Sequence, residues 1–107
     1  MSVVLVLDPD PDVRGLFGRL VRRLGHKPIF EPPSNDETGV DVVLLEPAWA
    51  AARARLEAVR EQQPNVYVVC ASIYPREEAT SLGADAFIPK PISNGAIERA
   101  LRDGTDG

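Results

Sequence analysis

The segment DVVLLEP, Asp41 to Pro47, constrains the fold of this chain more than any other. Its four apolar residues are few for a helix and alternate with nothing polar, so they read as a strand buried on both faces. A strand of that kind belongs to a parallel sheet with helices packed on each side. Glu46 stands at its carboxyl end, and Pro47 follows. In open α/β sheets, the rim formed by the carboxyl ends of the strands is where ligands bind. Two more segments bring polar groups to it: LDPDPD near the start and FIPKP near the end. Function turns on what Glu46 does beside Asp8 and Lys90.

Taken in order, Val3 to Leu7 is another continuous apolar run, read as a central strand that Asp8 ends. Asp10 then caps a helix that opens with Pro11. Val13, Leu16, Phe17, Leu20, Val21 and Leu24 form its apolar face, and Gly25 stops it. Arg14, Arg19, Arg22 and Arg23 lie opposite and read as a solvated face. His26 to Phe30 reads as a short edge strand, because Pro28 is out of place in a central one. His26 has no ligand cluster around it and reads as a turn or surface histidine. Glu31 to Gly39 is turn chemistry, too short and broken for a full helix.

After the strand Asp41 to Leu45, the pattern predicts a helix over Pro47 to Gln63. Its stripe is Trp49, Ala52, Leu56 and Val59, with Arg53, Arg55, Glu57, Arg60 and Glu61 largely outside it. Val66 to Ala71 is a strand ending near Cys70 and Ser72, and Pro75 to Leu82 a short helix closed by Gly83. Ala86 to Pro89 is a last strand. Ser93 caps a final helix that buries Ile97, Ala100 and Leu101 and frays at Gly104. The expected architecture is a single domain over residues 1–104, with 105–107 as a frayed tail.

A chain of 107 residues holds one core. A net charge of −4 argues against a nucleic-acid surface, which usually shows a basic face. The single cysteine forms no internal disulfide, and the five straight apolar residues near the start are too short for a signal peptide or a membrane span. The expected location is the cytoplasm, with no membrane contact. Cys70 reads as a buried structural thiol. Trp49 reads as core packing or as a cover over the acidic rim.

These segments resemble the response-regulator receiver domain, of flavodoxin-like fold. The likeness spans nearly the whole chain and is most specific in LGADAFIPKPIS, which resembles the family's closing segment. VLVLDPDPDVR resembles the first strand and acidic turn, DVVLLEP the phosphoacceptor strand, and VYVVCAS the fourth strand. The resemblance implies an α/β doubly wound five-stranded parallel sheet in the order 2-1-3-4-5. It also implies an aspartate that accepts a phosphoryl group from a sensor kinase, two acidic residues that hold Mg²⁺, a hydroxyl residue, a lysine before proline, and an aromatic switch.

Carried over position by position, Asp8 matches the first acidic residue and Pro9 falls at the second. Glu46 replaces the phosphoacceptor. Cys70 falls at the hydroxyl position, though a shift of one or two residues brings in Ser72. Lys90 and Pro91 match the lysine–proline pair, and Phe87 matches the aromatic switch without its hydroxyl. Mg²⁺ needs hard oxygen ligands in near-octahedral array. Proline offers none, and a capping Asp10 is occupied, so Asp8, Asp10 and Glu46 are a poor set and no cofactor is expected. An ion pair between Glu46 and Lys90 is expected instead. It either neutralises a partly buried lysine or imitates the phosphorylated state.

The resulting expectation is a pseudo-receiver: a degenerate phosphorylation site at Glu46, Asp8, Pro9, Asp10, Cys70 and Lys90, with no enzymatic activity. Its partner is a protein, namely a signalling protein, a histidine kinase or a second copy of the chain. The alternatives are a weakened Mg²⁺-dependent phosphoacceptor of a two-component relay and a small ligand binder. The second of these is disfavoured by the acidic first turn. Roughly ten residues separate Phe30 from Asp41, short for a parallel crossover. The second helix is therefore expected to be shortened or missing, leaving a partner surface near Phe30 and Val40, or else on the face formed by the last strand and its flanking helices.

Overall fold

The two apolar runs lie side by side: β1 (Val3–Leu7) pairs in parallel with β3 (Val42–Leu45), and Leu7 is level with Leu45. This computed structural model describes residues 2–33, 39–73, 77–90 and 93–106. β2 (Lys27–Ile29) flanks β1, and β4 (Tyr67–Ser72) and β5 (Ala86–Pro89) continue beyond β3. All pairings are parallel, and the order β2-β1-β3-β4-β5 is that of the flavodoxin-like fold. α1 (Pro11–Arg23) and α4 (Asn94–Asp106) cover one face, where Phe17, Val21, Ile97 and Leu101 meet Val4, Val6, Val42 and Val69. α2 (Ala52–Gln62) and α3 (Glu77–Ser81) cover the other, where Leu56, Val59 and Leu82 meet Leu5, Leu7, Val43 and Cys70. No helix among the described residues is long and apolar enough to cross a membrane.

Local chemistry sets the element ends. Asp10 Oδ1 accepts the Asp12 N–H at 2.9 Å, and Pro11 starts α1. Gly25 ends that helix at φ 88°, a left-handed conformation suited to glycine. Leu16 sits at the rim of the apolar stripe and is 43% exposed, contrary to its expected burial. The helix expected from Pro47 begins only at Ala52. Alanine favours helix, but nothing from Pro47 to Ala51 carries a capping oxygen, and Glu46 directs this stretch into turns. Its carboxylate accepts the Ala48 N–H at 3.1 Å, and its carbonyl accepts the Trp49 N–H at 3.2 Å. β4 runs one residue later than expected, so Ser72 lies inside it. α4 does not fray at Gly104 but runs to Asp106.

Among the described residues no helix joins β2 to β3, and residues 34–38 of the expected turn segment lie outside them. The face anticipated near Phe30 and Val40 is covered only in part. Val40 is buried, its N–H donates to Gln63 Oε1 at 2.6 Å, and Leu5, Leu7 and Val43 beside it are buried too. Phe30 is 39% exposed, but its ring lies against α1, where a Cβ on Gly18 would come within 2.9 Å of it.

Gly104 shows how closely α4 approaches the sheet: a Cβ there would lie 2.7 Å from Tyr67 Cδ1 and 2.9 Å from Val42 Cγ2. Gly104→Ala gains roughly 1 kcal/mol of helix propensity but forces a ring and a β-branched side chain apart, at a cost of about 1–3 kcal/mol. The variant should therefore be less stable in urea unfolding, with an unchanged denaturant slope.

Candidate functional site

Three strand ends converge on one ammonium group. The Lys90 N–H donates to the Ser72 carbonyl at 3.0 Å, extending the β4–β5 ladder one step past Pro89. The Lys90 side chain then crosses the rim, and Nζ lies 3.0 Å from Asp8 Oδ2 and 3.0 Å from Glu46 Oε1. Asp8 follows β1 directly. Glu46 follows β3, held in line by its N–H on the Leu7 carbonyl at 3.1 Å. The side chains of Asp8, Glu46 and Lys90 are 4%, 12% and 15% exposed, so the cluster is largely withdrawn from water.

Each carboxylate oxygen has a donor. Asp8 Oδ1 accepts the Asp10 N–H at 2.9 Å, and Glu46 Oε2 accepts the Ala48 N–H. Arg14, expected on the solvated face, instead donates from Nη1 to the Asp8 carbonyl at 3.0 Å. The cluster carries two negative charges and one positive. Burial pulls the Lys90 ammonium toward deprotonation, but its hydrogen bonds to Asp8 and Glu46 outweigh that and raise its pKa above the ordinary 10.5.

Cys70 is buried and level with Phe87 across β4 and β5, while Ser72 is buried level with Pro89. Burial, reinforced by the Glu46 carboxylate and opposed by Arg60, pushes the Cys70 thiol up to about 12. Pro9 is exposed and brings no side-chain oxygen to the rim, and Pro91 lies outside the described residues. Trp49 is half-buried against the α2-side core, with the Arg55 guanidinium 5.3 Å from its ring centroid. His26 stands at the opposite end of the sheet, where Nδ1 accepts the Ser2 N–H at 3.4 Å.

These residues do not fit Mg²⁺. Asp8 and Glu46 each already accept a backbone N–H on one oxygen and the Lys90 ammonium on the other, Asp10 Oδ1 serves the first turn of α1, and Pro9 brings no oxygen to the rim. Among the described residues no group of three or more His, Cys, Asp or Glu side chains is arranged to hold a metal ion.

Sequence reasoning missed Asp8 as a partner of Lys90, although the end of an apolar run marked it as a rim residue. It also missed Arg60, whose guanidinium donates to the Leu82 and Gly83 carbonyls at 2.8 and 3.0 Å and so anchors the end of α3. Nothing in its spacing marks Arg60 off from the other arginines of α2.

No family model and no curated protein matches the sequence. Solved structures match it over its whole length. A structure described as the pilus assembly protein CpaE of Burkholderia thailandensis is 18% identical with a TM-score of 0.79, each chain covered completely. The chemotaxis protein CheY4 of Vibrio cholerae is 16% identical with a TM-score of 0.78, over 96% of this chain and 98% of that one. The receiver domain of a Bacteroides fragilis response regulator is 20% identical with a TM-score of 0.77, over 97% and 96%. At these identities the likeness establishes the fold: the chain has the architecture of receiver domains.

Two outcomes follow from the site. Because the folded Lys90 value lies above the unfolded one, its contribution is complete below about pH 10.5 and is lost as pH rises through the folded value. The stability gap between the natural chain and Lys90→Met should stay level from neutral pH to about pH 10 and narrow above it. Cys70 should resist a disulfide exchange reagent at about pH 8 in the native protein and react on unfolding.

Proposed function

We propose that this chain is a pseudo-receiver, a response-regulator receiver-type domain that signals through protein–protein contact without accepting a phosphoryl group. The observation that carries this reading is Glu46 at the acceptor position with both carboxylate oxygens engaged, one by Lys90 and one by the Ala48 N–H. Phosphoryl transfer depends on a positioned nucleophile and on neutralising charge at the phosphoryl oxygens. Glutamate is longer than aspartate by one carbon–carbon bond, about 1.5 Å. Misplacement by about 1 Å costs on the order of a hundredfold in rate. Lys90, the group that would meet a phosphoryl oxygen, is committed to Asp8 and Glu46. Cys70 is a weak donor.

The domain is a binding module in this reading, with no enzymatic activity and no bound Mg²⁺. Its partner is a protein, either a signalling component or a second copy of the chain. The fold shared with structures described as response regulators and also with ones described as pilus assembly proteins supports a module whose output is contact.

The test is phosphorylation by acetyl phosphate with Mg²⁺, followed by intact mass and by the fluorescence of Trp49, the only tryptophan. The natural chain should gain no phosphoryl group and show no response, while a Pro9→Asp/Glu46→Asp variant should gain both. Stoichiometric, Mg²⁺-dependent labelling of the natural chain would overturn the reading and make it a phosphoacceptor of a two-component relay.

A further inference from the structure

We infer that the outer face of α1, with the neighbouring edge strand β2, is a docking surface for an acidic segment of a partner protein that also carries apolar side chains. This rests on the reading of the chain as a module that acts by contact, and it names where the contact is made. Residues 11–30 carry Arg14, Arg19, Arg22, Arg23 and Lys27 against one acid, Asp12, in a chain whose net charge is −4. Positive charge is therefore gathered on one corner of a molecule that is acidic elsewhere.

Most of these cations are not used within the fold. Arg14 donates to the Asp8 carbonyl, but Arg19, Arg22, Arg23 and Lys27 are exposed. Among the described residues their side chains have no ion pair or hydrogen bond. The arginines of α2 differ: Arg53 and Arg60 donate to the Ser81 and Leu82 carbonyls, and Arg55 lies over the Trp49 ring. The macrodipole of α1 accounts for cations in its last turn, Arg22 and Arg23. It does not account for Arg19, a turn earlier, or for Lys27 on another element.

Helical spacing puts Arg19, Arg22 and Arg23 on one face of α1. Leu16 extends that face toward the start of the helix and is 43% exposed. On the other side, the tip of the Phe30 ring fills the space that Gly18 leaves, where a Cβ would come within 2.9 Å of Cζ. Gly18 is a helical neighbour of Arg22, so the arginines run between two exposed apolar side chains. Such a strip matches a segment that alternates carboxylates with apolar residues. A phosphate backbone or a lipid headgroup would meet the charges and leave Leu16 and Phe30 without a role. Phe30 points its tip into α1, so it does not project outward as a membrane anchor would. An exposed ion pair contributes little alone, so the surface works only when several pairs form together.

The experiment follows the backbone amide shifts of the isotope-labelled chain as a short synthetic peptide of glutamate and leucine is added. A peptide with glutamine in place of glutamate is the neutral control. Saturable shifts are expected in α1 and β2, with the acidic peptide only, and they should fade as salt is added. Arg19→Gln/Arg23→Gln should weaken binding roughly tenfold, and Leu16→Gln should weaken it less. Arg53→Gln/Arg99→Gln removes the same charge from exposed positions on other helices and should leave binding unchanged. No saturable shift, shifts centred elsewhere, or equal weakening by both double variants overturns the inference. Tighter binding to phosphatidylserine vesicles or to a single-stranded oligonucleotide than to the peptide also overturns it, and assigns the face to a membrane or a nucleic acid. The same shifts on concentrating the chain alone overturn it in favour of a second copy. None of these results bears on labelling by acetyl phosphate, so the proposed function stands or falls separately.

Discussion

Lys90 belongs to one edge of the sheet and its two partners to the middle of it. The side chain spans the rim from β5 past β4 to β3 and β1, and so ties together strands that share no ladder. Much else depends on that tie. β5 pairs with β4 alone, and the five-residue α3 before it is too short to hold itself together. Arg60 anchors the carbonyl end of α3 from the side of α2, and Lys90 anchors the far end of β5. The ion cluster has a large cost of failure, since stripping a partner from a buried pair costs roughly 3–5 kcal/mol through the orphaned charge. That asymmetry explains why such a cluster persists even if its net gain over an apolar substitute is small.

At the opposite end of the sheet, the register is set by side chains that act as extra backbone. The Asp41 N–H donates to the Val3 carbonyl while Asp41 Oδ2 accepts the Val3 N–H at 2.8 Å. Asp85 repeats the arrangement around Val68, with an N–H donated at 2.8 Å and an N–H accepted at 2.8 Å. Each aspartate stands just before its own strand and brackets a residue of the neighbouring one. A slip of one residue would break both bonds at once and would also turn a doubly buried strand's side chains to the wrong faces. Register at one end thereby fixes which residues emerge at the other, and it delivers Asp8 and Glu46 to the same level.

How far the sequence was readable follows from which interactions are local. The runs at Val3–Leu7 and Val42–Leu45 declare themselves because burial on both faces leaves no polar residue inside them. The N-cap at Asp10 and the stop at Gly25 were equally plain, since a cap and a left-handed turn need only neighbouring residues. Residues 47–51 misled because alanine propensity argues for helix, whereas the deciding bonds come from Glu46, whose side chain is pulled into place by Lys90. Leu16 misled because periodicity marks a stripe but not how wide a stripe the sheet can cover. The Glu46–Lys90 pair was foreseeable from the length of glutamate. The Asp8–Lys90 contact joins residues 82 apart and was legible only as two groups on one rim.

A conformational equilibrium shifts only when something interacts differently with its two states. A phosphoryl group can shift a fold only where it meets groups that answer its charge and acceptor oxygens. Here Lys90 is already engaged by two carboxylates, Cys70 is a buried thiol beside a buried Ser72, and Phe87 has no hydroxyl. The rim thus offers a chemical signal little difference in free energy to exploit. What remains able to discriminate between states, or between partners, is the outer surface, where apolar side chains such as Leu16 and Ile73 meet solvent. In the proposed reading of signalling by contact, the information the domain carries has to reside in its shape.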